Sequence, residues 1–524
     1  MRDVCNAGPV NPTRAGLARG DAMASRYRGS CCHSAVRLRR AGILPAFLFA
    51  VLSCLNAPGT LSAATFVVNS PADVHDSNHG DGICETALHN HICTLRAAVE
   101  EANALAGADK ITLQANVTYH LSLTETLSNI TSDLIFTDSV TITGAGPNST
   151  ILDGNGTGHR VLTVFKCVGN VTKPNSSECV TGGDISVSIS GITIKNGLAA
   201  YVSGTYDGSG GAGIFNLGIL TLDNVAVTDN TASGLNDWGG GIYNAGPLTM
   251  TNSLIANNKT GAHNAYGGGM YNQDAMTMTN CTISGNSTYG GPSSPGQGGG
   301  LFLIGKATTI RNSTISDNRA VVGGGIYHGG YPLALINDTI SGNSSDGNGG
   351  GLHNGGGTTG LFNVTVTQNL ANADDSGGGV GGGISNGSGT LTVINSIIAD
   401  NTLIIPTLPY PTLDTDECAG TITSQGYNIM VWVNSSNCTV GGPYSTDDPQ
   451  LGALQFNGGP TRTHAIFPGS SALDTGNPAG CTDDLGAPIT ADQRGVHRPH
   501  GPACDIGAFE SDDIIFRNGF EAPI

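Results

Sequence analysis

Three aspartates recur at one position of an internal repeat and are the first candidates for acid–base chemistry. Asp229, Asp317 and Asp400 each stand directly before an asparagine that closes a repeat. Two carboxylates can hydrolyse a glycosidic bond when they lie roughly 5–10 Å apart. The intervening copies hold Asn257, Gly285, Gly342 and Gln368 at this position. If each copy is one rung of ~4.8 Å, the nearest two aspartates lie about three rungs apart, which is too far for such a pair.

Basic residues that would act on an acidic sugar are few and scattered. Between residues 211 and 401 they are Lys259, Lys306, Arg311 and Arg319. Earlier in the chain, Asp153, Arg160 and Lys195 could line a cleft, although surface charges are the simpler interpretation. Further on, we expect His464 and Arg494 to tie loops together, and Asp374-Asp375 to be a solvated loop pair. The sequence therefore predicts no catalytic residue.

A column of rings is the sharper binding candidate. In successive copies the residue after an inward-facing apolar position is Phe215, Tyr243, Tyr271, Phe302, Tyr327 or His353. Strand alternation places these rings on the outer face of a sheet, as an exposed aromatic ladder. They could stack on one another and stiffen the repeats, or they could form a platform for sugar rings or another protein.

Oxygen ligands and thiols suggest other chemistry near the ends of the chain. The acidic segment 73–81 could hold Ca²⁺, although a solvated turn is the simpler interpretation because its spacing matches no recognised calcium loop. No other cofactor or metal is predicted, and no cysteine spacing suggests zinc. Four neighbouring pairs are plausible disulfides in an oxidising compartment: Cys84 and Cys93, Cys167 and Cys179, Cys418 and Cys438, and Cys481 and Cys504. Cys281 is left over and is expected to be a small buried residue.

The repeat that positions these residues occurs seven times between Gly211 and Asn401, with 25 to 32 residues in each copy. It consists of a Gly triplet, an apolar residue and a strand that ends in two asparagines six positions apart. The first asparagine recurs as Asn224, Asn252, Asn280, Asn312, Asn337, Asn363 and Asn395. The second recurs as Asn230, Asn258, Asn286, Asn318, Asn343, Asn369 and Asn401. A period in this range indicates a solenoid.

Alternating apolar residues identify the type of solenoid. Stacked copies give one apolar column of Ile214, Ile242, Met270, Leu301, Ile326, Leu352 and Ile384, and another of Val227, Ile255, Ile283, Ile315, Ile340, Val366 and Ile398. We predict an all-β, single-stranded, right-handed parallel β-helix of about ten coils. Asparagine fits a parallel β-helix for two reasons. Its backbone tolerates the left-handed conformation at bends, and its side chains can form hydrogen-bonded ladders. A leucine-rich repeat is disfavoured, since the Gly-, Ser- and Asn-rich segments cannot supply helices.

The N-terminal residues predict export. Arg37, Arg39 and Arg40 precede an apolar run over 41–57 and the small residues Ala63 and Ala64, as in a secretory signal peptide. Removing residues 1–64 takes away eight arginines and two aspartates, which leaves 14 basic and 38 acidic residues, a net charge of −24. Such a surface disfavours nucleic acid, anionic membranes and polyanionic sugars as partners. No later apolar run is long enough to form a transmembrane span.

Both ends of the repeat region resemble known modules. Cys93-Thr94-Leu95-Arg96 resembles the CSLREA domain of exported bacterial repeat proteins, with Thr in place of Ser. Ala97 replaces that family's Glu and removes a capping box worth about 0.5–1 kcal/mol. Segments 418–420, 426–428, 448–452, 457–464, 472–476, 492–495 and 504–510 resemble the choice-of-anchor Q domain, which precedes surface-attachment signals. The repeats are similar to those of the pectin-lyase-like superfamily and of polymorphic outer-membrane proteins.

These observations divide the chain into five parts. They are a signal peptide with an N-terminal extension at 1–64, a CSLREA-like cap with a short amphipathic helix at 65–110, β-helix repeats at 111–401, a choice-of-anchor Q-like module at 402–510 that closes the stack, and a tail at 511–524. We expect a non-catalytic protein of the cell surface or the extracellular space, adhesin-like or in contact with a glycan or a surface protein. The alternatives are a polysaccharide lyase or glycoside hydrolase, and a passive spacer.

Overall fold

A computed structural model describes residues 63–123, 133–165, 185–200, 210–234, 237–261, 264–290, 295–407, 410–433 and 437–511. These residues form a right-handed parallel β-helix with three long sheets, as predicted. Each regular coil contributes two strands to the first sheet and one strand each to the second and third sheets. The predicted disulfide between Cys167 and Cys179 lies outside the described residues.

The strands of each sheet follow one another along the axis. The first sheet contains Thr65–Val67, Asp109–Thr112, Leu134–Phe136, Val140–Thr143, Leu162–Val164, Ser186–Ser190, Ile214–Asn216, Ile219–Asp223, Ile242–Asn244, Leu248–Thr251, Met270–Asn272, Met276–Thr279, Leu301–Leu303, Thr308–Arg311, Ile326–His328, Leu333–Ile336, Leu352–Asn354, Thr358–Phe362, Ile384–Asn386, Thr390–Ile394, Cys418–Ser424 and Cys438–Gly441. The second contains Val117–His120, Thr150–Asp153, Thr193–Lys195, Ala226–Thr228, Leu254–Ala256, Thr282–Ser284, Thr314–Ser316, Thr339–Ser341, Thr365–Thr367, Ile397–Ala399 and Ile429–Met430. The third contains Leu198–Ala200, Thr231–Ser233, Lys259–Thr260, Ser287–Thr288, Arg319–Ala320, Ser344–Ser345, Leu370–Ala371, Thr402–Ile405 and Thr412–Thr415, the last two being antiparallel.

The core is the interior of the coil, and both predicted apolar columns lie in it. Ile242 pairs in register with Ile214 and Met270, and Ile255 pairs with Val227 and Ile283. All six side chains are fully buried. The Gly triplets make this stacking possible, because a Cβ on Gly240 would lie 2.4 Å from the carbonyl oxygens of Gly268 and Lys259.

The two asparagine columns have separate roles. The first column turns the chain, since Asn252 and its equivalents all have φ between 51° and 57°. The second column points inward and is fully buried. There the Asn258 amide Nδ2 donates to Asn286 Oδ1 at 3.0 Å, and the Asn258 backbone N–H donates to the same oxygen at 3.0 Å. The residue before the second asparagine also turns the chain, for example Asp229 with φ of 58°.

A carboxylate ends the inner asparagine ladder. Glu417 Oε2 accepts hydrogen bonds from Asn401 Nδ2 at 2.6 Å and from the Asn401 backbone N–H at 3.2 Å. Glu417 Oε1 is buried without a hydrogen-bond partner. Burial raises the pKa of the Glu417 carboxyl to about 8, although the hydrogen bonds from Asn401 act in the opposite direction.

The N-terminal helix covers the start of the stack. Helix α1 spans Leu95–Ala104 and is capped by Thr94, whose side chain accepts from the Ala97 backbone N–H at 3.2 Å. Its buried residues Leu95, Val99 and Ala102 join the interior core. The apolar stripe of this helix therefore shields the end of the core, as a cap requires.

The chain beyond Asn401 has two parts. Strands Cys418–Ser424, Ile429–Met430 and Cys438–Gly441 extend the stack past Asn401. Residues 446–510, here called the strap, instead run back along the outer face of the second sheet. The strap contacts these strands through individual side chains: Arg462 donates to Ser316, and Gln493 donates to Thr314. The partners are 146 and 179 positions apart in the sequence, so the periodic pattern did not reveal these contacts.

One glutamine anchors the strap. Gln493 is 1 % exposed. Its amide donates to Thr314 Oγ1 at 3.0 Å, and its carbonyl oxygen accepts from Thr339 Oγ1 at 2.6 Å. Within the strap, Arg498 pairs with Glu510 at 2.9 Å, and both are buried. The strap is thus tied to successive coils by directional bonds and not by apolar contact alone.

Candidate functional site

The disulfides lie at the two ends of the described chain. Cys84–Cys93 joins residues of the N-terminal cap, Cys418–Cys438 lies in the last coils, and Cys481–Cys504 lies in the strap. Cys281 is a buried free cysteine, and burial raises the pKa of its thiol to about 12. In the residues that the structure describes, no helix has the length and apolar character needed to cross a membrane.

The aromatic ladder is a continuous stack, but it is not exposed as predicted. Ring centroids are 4.7 Å apart for Phe215 and Tyr243, 5.4 Å for Tyr243 and Tyr271, and 5.3 Å for Tyr271 and Phe302. Tyr327 follows at 4.9 Å from Phe302. Phe215, Tyr271 and Phe302 are only 4–6 % exposed, while Tyr243 and Tyr327 are half-buried. Most ring faces are therefore covered by neighbouring rings.

Two rings from the variable loops complete this cover. Trp238 lies 5.4 Å from Tyr271, and Tyr266 lies 4.7 Å from Phe302. Trp238 and Tyr266 are themselves bridged by backbone pairing that continues to Gln297 and Val322. Their alignment was hidden because the loops that hold them vary in length. Because each ring gains stacking partners within the molecule, the geometry favours the stiffening role over the platform.

The ends of the stack are equally enclosed. The Arg160 guanidinium lies 4.8 Å from the centre of the Phe215 ring, and its Nε donates to the Gly210 carbonyl at 2.8 Å. At the other end the His353 ring lies tilted against Tyr327, with 5.3 Å between ring centroids, and burial lowers the pKa of its imidazole to about 4. Burial also raises the pKa of Tyr243 to about 12. These groups are therefore poorly suited to acid–base chemistry at neutral pH.

An open cavity of about 340 Å³ lies on the flank of the early coils. Its polar lining consists of Asp153, Asn155, Asn196, Asp229 and Thr231, which come from three successive coils. This volume is within the range of small-molecule sites, roughly 300–1,000 Å³. The sequence predicted a cleft near Asp153 and Lys195 only as an alternative, and it missed Asp229 as a partner.

The second sheet brings Asp153 and Lys195 together. Their Cα atoms are partners in the parallel ladder, and Lys195 Nζ lies 3.6 Å from Asp153 Oδ2. Asn196 Nδ2 and the Asn155 backbone N–H donate to Asp153 Oδ1 at 3.0 and 2.9 Å. Arg160, the third member of the predicted group, points to the aromatic stack instead. Asp153 is thus held in one orientation at the cavity wall.

Asp229 contributes an exposed carboxylate to the same cavity. Asp153 pairs in register with Lys195 on the next rung, and Lys195 pairs with Thr228 on the rung after that. Asp229 directly follows Thr228 and therefore lies two rungs from Asp153. Two steps correspond to about 10 Å between the backbones. The cavity therefore combines a fixed carboxylate, an exposed carboxylate, two amides and a hydroxyl, which together suit a ligand rich in hydroxyl groups.

The remaining candidate residues are used in structural contacts. Asp317 pairs with Arg462 of the strap at 3.2 Å, while Arg311 pairs with Asp483 at 3.2 Å. Both nitrogens of His464 are bonded, to the Gly452 carbonyl and to Ser341 Oγ. Arg494 lies 3.5 Å from the centre of the Phe509 ring.

Segment 73–81, for which a solvated turn was the simpler prediction than a calcium site, is bonded within itself and to residues that follow it. Asp73 binds Arg96 with both oxygens, at 2.6 and 3.2 Å. Asp76 accepts from the backbone N–H groups of Asn78 and Glu85. Across the described ranges, no three or more His, Cys, Asp or Glu side chains are grouped so that they could hold a metal ion.

No protein-family model matches the chain, and no curated protein sequence does either. Among solved structures, the fold is similar to that of the pectate lyase Pel9A, with a TM-score of 0.39 and 12 % sequence identity. The alignment covers 86 % of this chain and 97 % of the lyase. At this level of identity the likeness concerns the fold alone.

Proposed function

We propose that this chain is an exported, non-catalytic β-helix protein of the cell surface or extracellular space that contacts a glycan, in the manner of an adhesin. The observation that carries this proposal is the open cavity bounded by Asp153 and Asp229. Its lining offers carboxylate and amide oxygens as acceptors and amide and hydroxyl groups as donors, the combination that recognises sugar hydroxyls. The aromatic ladder, being covered by its own neighbours, is a weaker candidate for the contact.

Export is supported by two independent features. Three disulfides in the described residues are typical of an oxidising compartment. The apolar run at 41–57, preceded by arginines and followed by the small residues Ala63 and Ala64, is typical of a signal peptide. We propose that the N-terminal cap acts as a CSLREA-like module, and that residues 402–510 act as a choice-of-anchor Q-like module that leads into an attachment signal at 511–524.

A carbohydrate-active enzyme is the second candidate, and one observation favours it. Asp153 and Asp229 belong to coils two rungs apart with Lys195 between them. A backbone separation of about 10 Å is near the upper end of the spacing of roughly 6.5–9.5 Å between the two carboxyl groups of inverting glycosidases. We favour binding without catalysis because the Asp153 carboxylate already pairs with Lys195 and accepts a hydrogen bond from Asn196, and because Asp229 is exposed.

A glycan array probed with the purified protein tests this function. We expect retention of at least one glycan, with no reducing-sugar release and no unsaturated product when each retained glycan is incubated with the protein. Formation of either product would establish the enzyme. Absence of any retained glycan would leave the passive spacer as the better interpretation.

A further inference from the structure

The charges around the cavity discriminate between classes of glycan. Asp153 has Lys195 beside it, so the net charge of this pair is close to zero, whereas no cation among the described residues forms a salt bridge with the exposed Asp229. We infer that the cavity selects neutral, hydroxyl-rich glycans and rejects polyuronates. This inference rests on the proposed function, and it adds the class of ligand.

The hydrogen-bonding geometry supports a neutral ligand. Asp229 is exposed and lines the cavity, and a sugar hydroxyl can donate to a carboxylate in a charge-assisted bond. A uronate in the same place would bring a second carboxylate against Asp229. Lys195 lies 3.6 Å from Asp153 and is therefore already engaged as its partner. Recognition of a uronate would require a cation free to pair with it.

The wider surface acts in the same direction. Residues 65–524 hold 14 basic and 38 acidic residues. Several repeat cations are paired with carboxylates, including Lys306 with Asp274 and Arg319 with Asp346. The long-range field thus repels a polyanionic chain before it reaches the cavity, most strongly at low ionic strength.

The test uses an array of neutral oligosaccharides of glucose, galactose, mannose and xylose, printed beside oligogalacturonates, oligoglucuronates and their methyl esters. The esters match the uronates in linkage and differ in charge. We expect the retained glycans to be neutral, with each acid retained at least about fivefold less than its ester or neutral counterpart. Retention of an acid equal to or above that of its ester would overturn the inference and leave the proposed function standing. If no glycan of any class is retained, the proposed function fails and the inference falls with it.

Variants locate the selectivity. Asp229→Asn preserves the left-handed backbone, because asparagine tolerates the φ of 58° found there. This variant should reduce retention of the best-bound neutral glycan about fivefold to tenfold. It should also reduce the difference in retention between each uronate and its methyl ester. Asp229→Lys should bring in uronate retention. Asp400→Asn alters an equivalent repeat position (φ of 59°) outside the cavity lining. It should change neither the retention of the neutral glycan nor the ratio of ester to acid retention by more than about twofold. Wild-type selectivity in both Asp229 variants would place recognition elsewhere and refute the inference.

Discussion

At the scale of single residues, the inner asparagine ladder explains why one side chain recurs in every copy. An asparagine supplies both an acceptor for the previous rung and a donor for the next, so each buried amide is satisfied by its neighbours. The ladder needs an acceptor at its end. Glu417 supplies it, but a glutamate there is buried with one oxygen unpaired.

This terminal carboxylate predicts a pH-dependent stability. The pKa of Glu417 is about 8 in the folded chain, compared with an ordinary value of 4.5. The native state therefore binds more protons than the unfolded state between about pH 4.5 and 8, and the contribution of Glu417 to stability is lost as the pH rises through this range. Glu417→Gln has no group to titrate. We expect its free energy of unfolding, relative to wild type, to rise by roughly 2–4 kcal/mol from pH 5 to pH 8 in urea titrations.

Asp483 provides a control of opposite sign. Burial raises the pKa of its carboxyl, but bonds from the Ala487 and Leu485 backbone N–H groups and from Arg311 outweigh this effect and lower it. Asp483→Asn should therefore lose stability relative to wild type as the pH rises through the acidic range. Parallel pH profiles for wild type and Glu417→Gln would show that Glu417 is not the titrating group.

At the scale of elements, the aromatic stack links the first sheet to the loops before the Gly triplets. Tyr271 is its centre, with Tyr243, Phe302 and Trp238 each within 5.4 Å between ring centroids. Tyr271→Ala would leave a cavity among these rings and should lower the free energy of unfolding by about 3–5 kcal/mol. Glycan retention below the melting temperature should be unchanged. Thermal melting and array binding, measured on the same preparation, distinguish a stabilising role of the aromatic stack from a binding role.

The matched control for this change is Tyr289→Ala, which alters a tyrosine that is 54 % exposed. We expect its free energy of unfolding to change by no more than about 0.5 kcal/mol. Should Tyr271→Ala lose glycan retention with an unchanged melting temperature, the ladder would be a binding platform and the cavity would not be the main site.

The elements also show how far the sequence could lead. Period-two alternation placed Ile242 and Ile255 in the core, because the pattern that defines a strand also defines its buried face. The same rule put Tyr271 on the outer face, but alternation cannot tell whether an outer face is covered. Trp238 and Tyr266, which cover it, stand in loops of unequal length. Asp153 and Asp229 are 76 positions apart in the sequence and line the same cavity. The coils before Gly211 lack the regular repeat, so the sequence pattern did not indicate that these two residues share a site.

At the scale of the whole molecule, the strap makes the two halves of the β-helix unequal. In a solenoid each coil is stabilised chiefly by its immediate neighbours. The strap adds bonds from one segment to several coils at once, through Thr314, Thr339 and Thr365. In the corresponding earlier strands Leu254–Ala256 and Thr282–Ser284, the outward-facing side chains of Leu254, Thr282 and Ser284 are partly exposed.

This asymmetry predicts a gradient of protection against amide hydrogen exchange. Opening the strands Thr339–Ser341 and Thr365–Thr367 requires release of the strap, so their amides should exchange more slowly than those of Ala226–Thr228 and Leu254–Ala256. Gln493→Ala removes the side chain that binds both Thr314 and Thr339, and it should raise exchange in the strapped strands while leaving the earlier ones unchanged. Gln455→Ala, an exposed strap position, should alter neither set. Uniform protection in the wild type, or an unaltered gradient in Gln493→Ala, would mean that coil stacking alone sets local stability. The strap would then make no contribution to the stability of the strands beneath it.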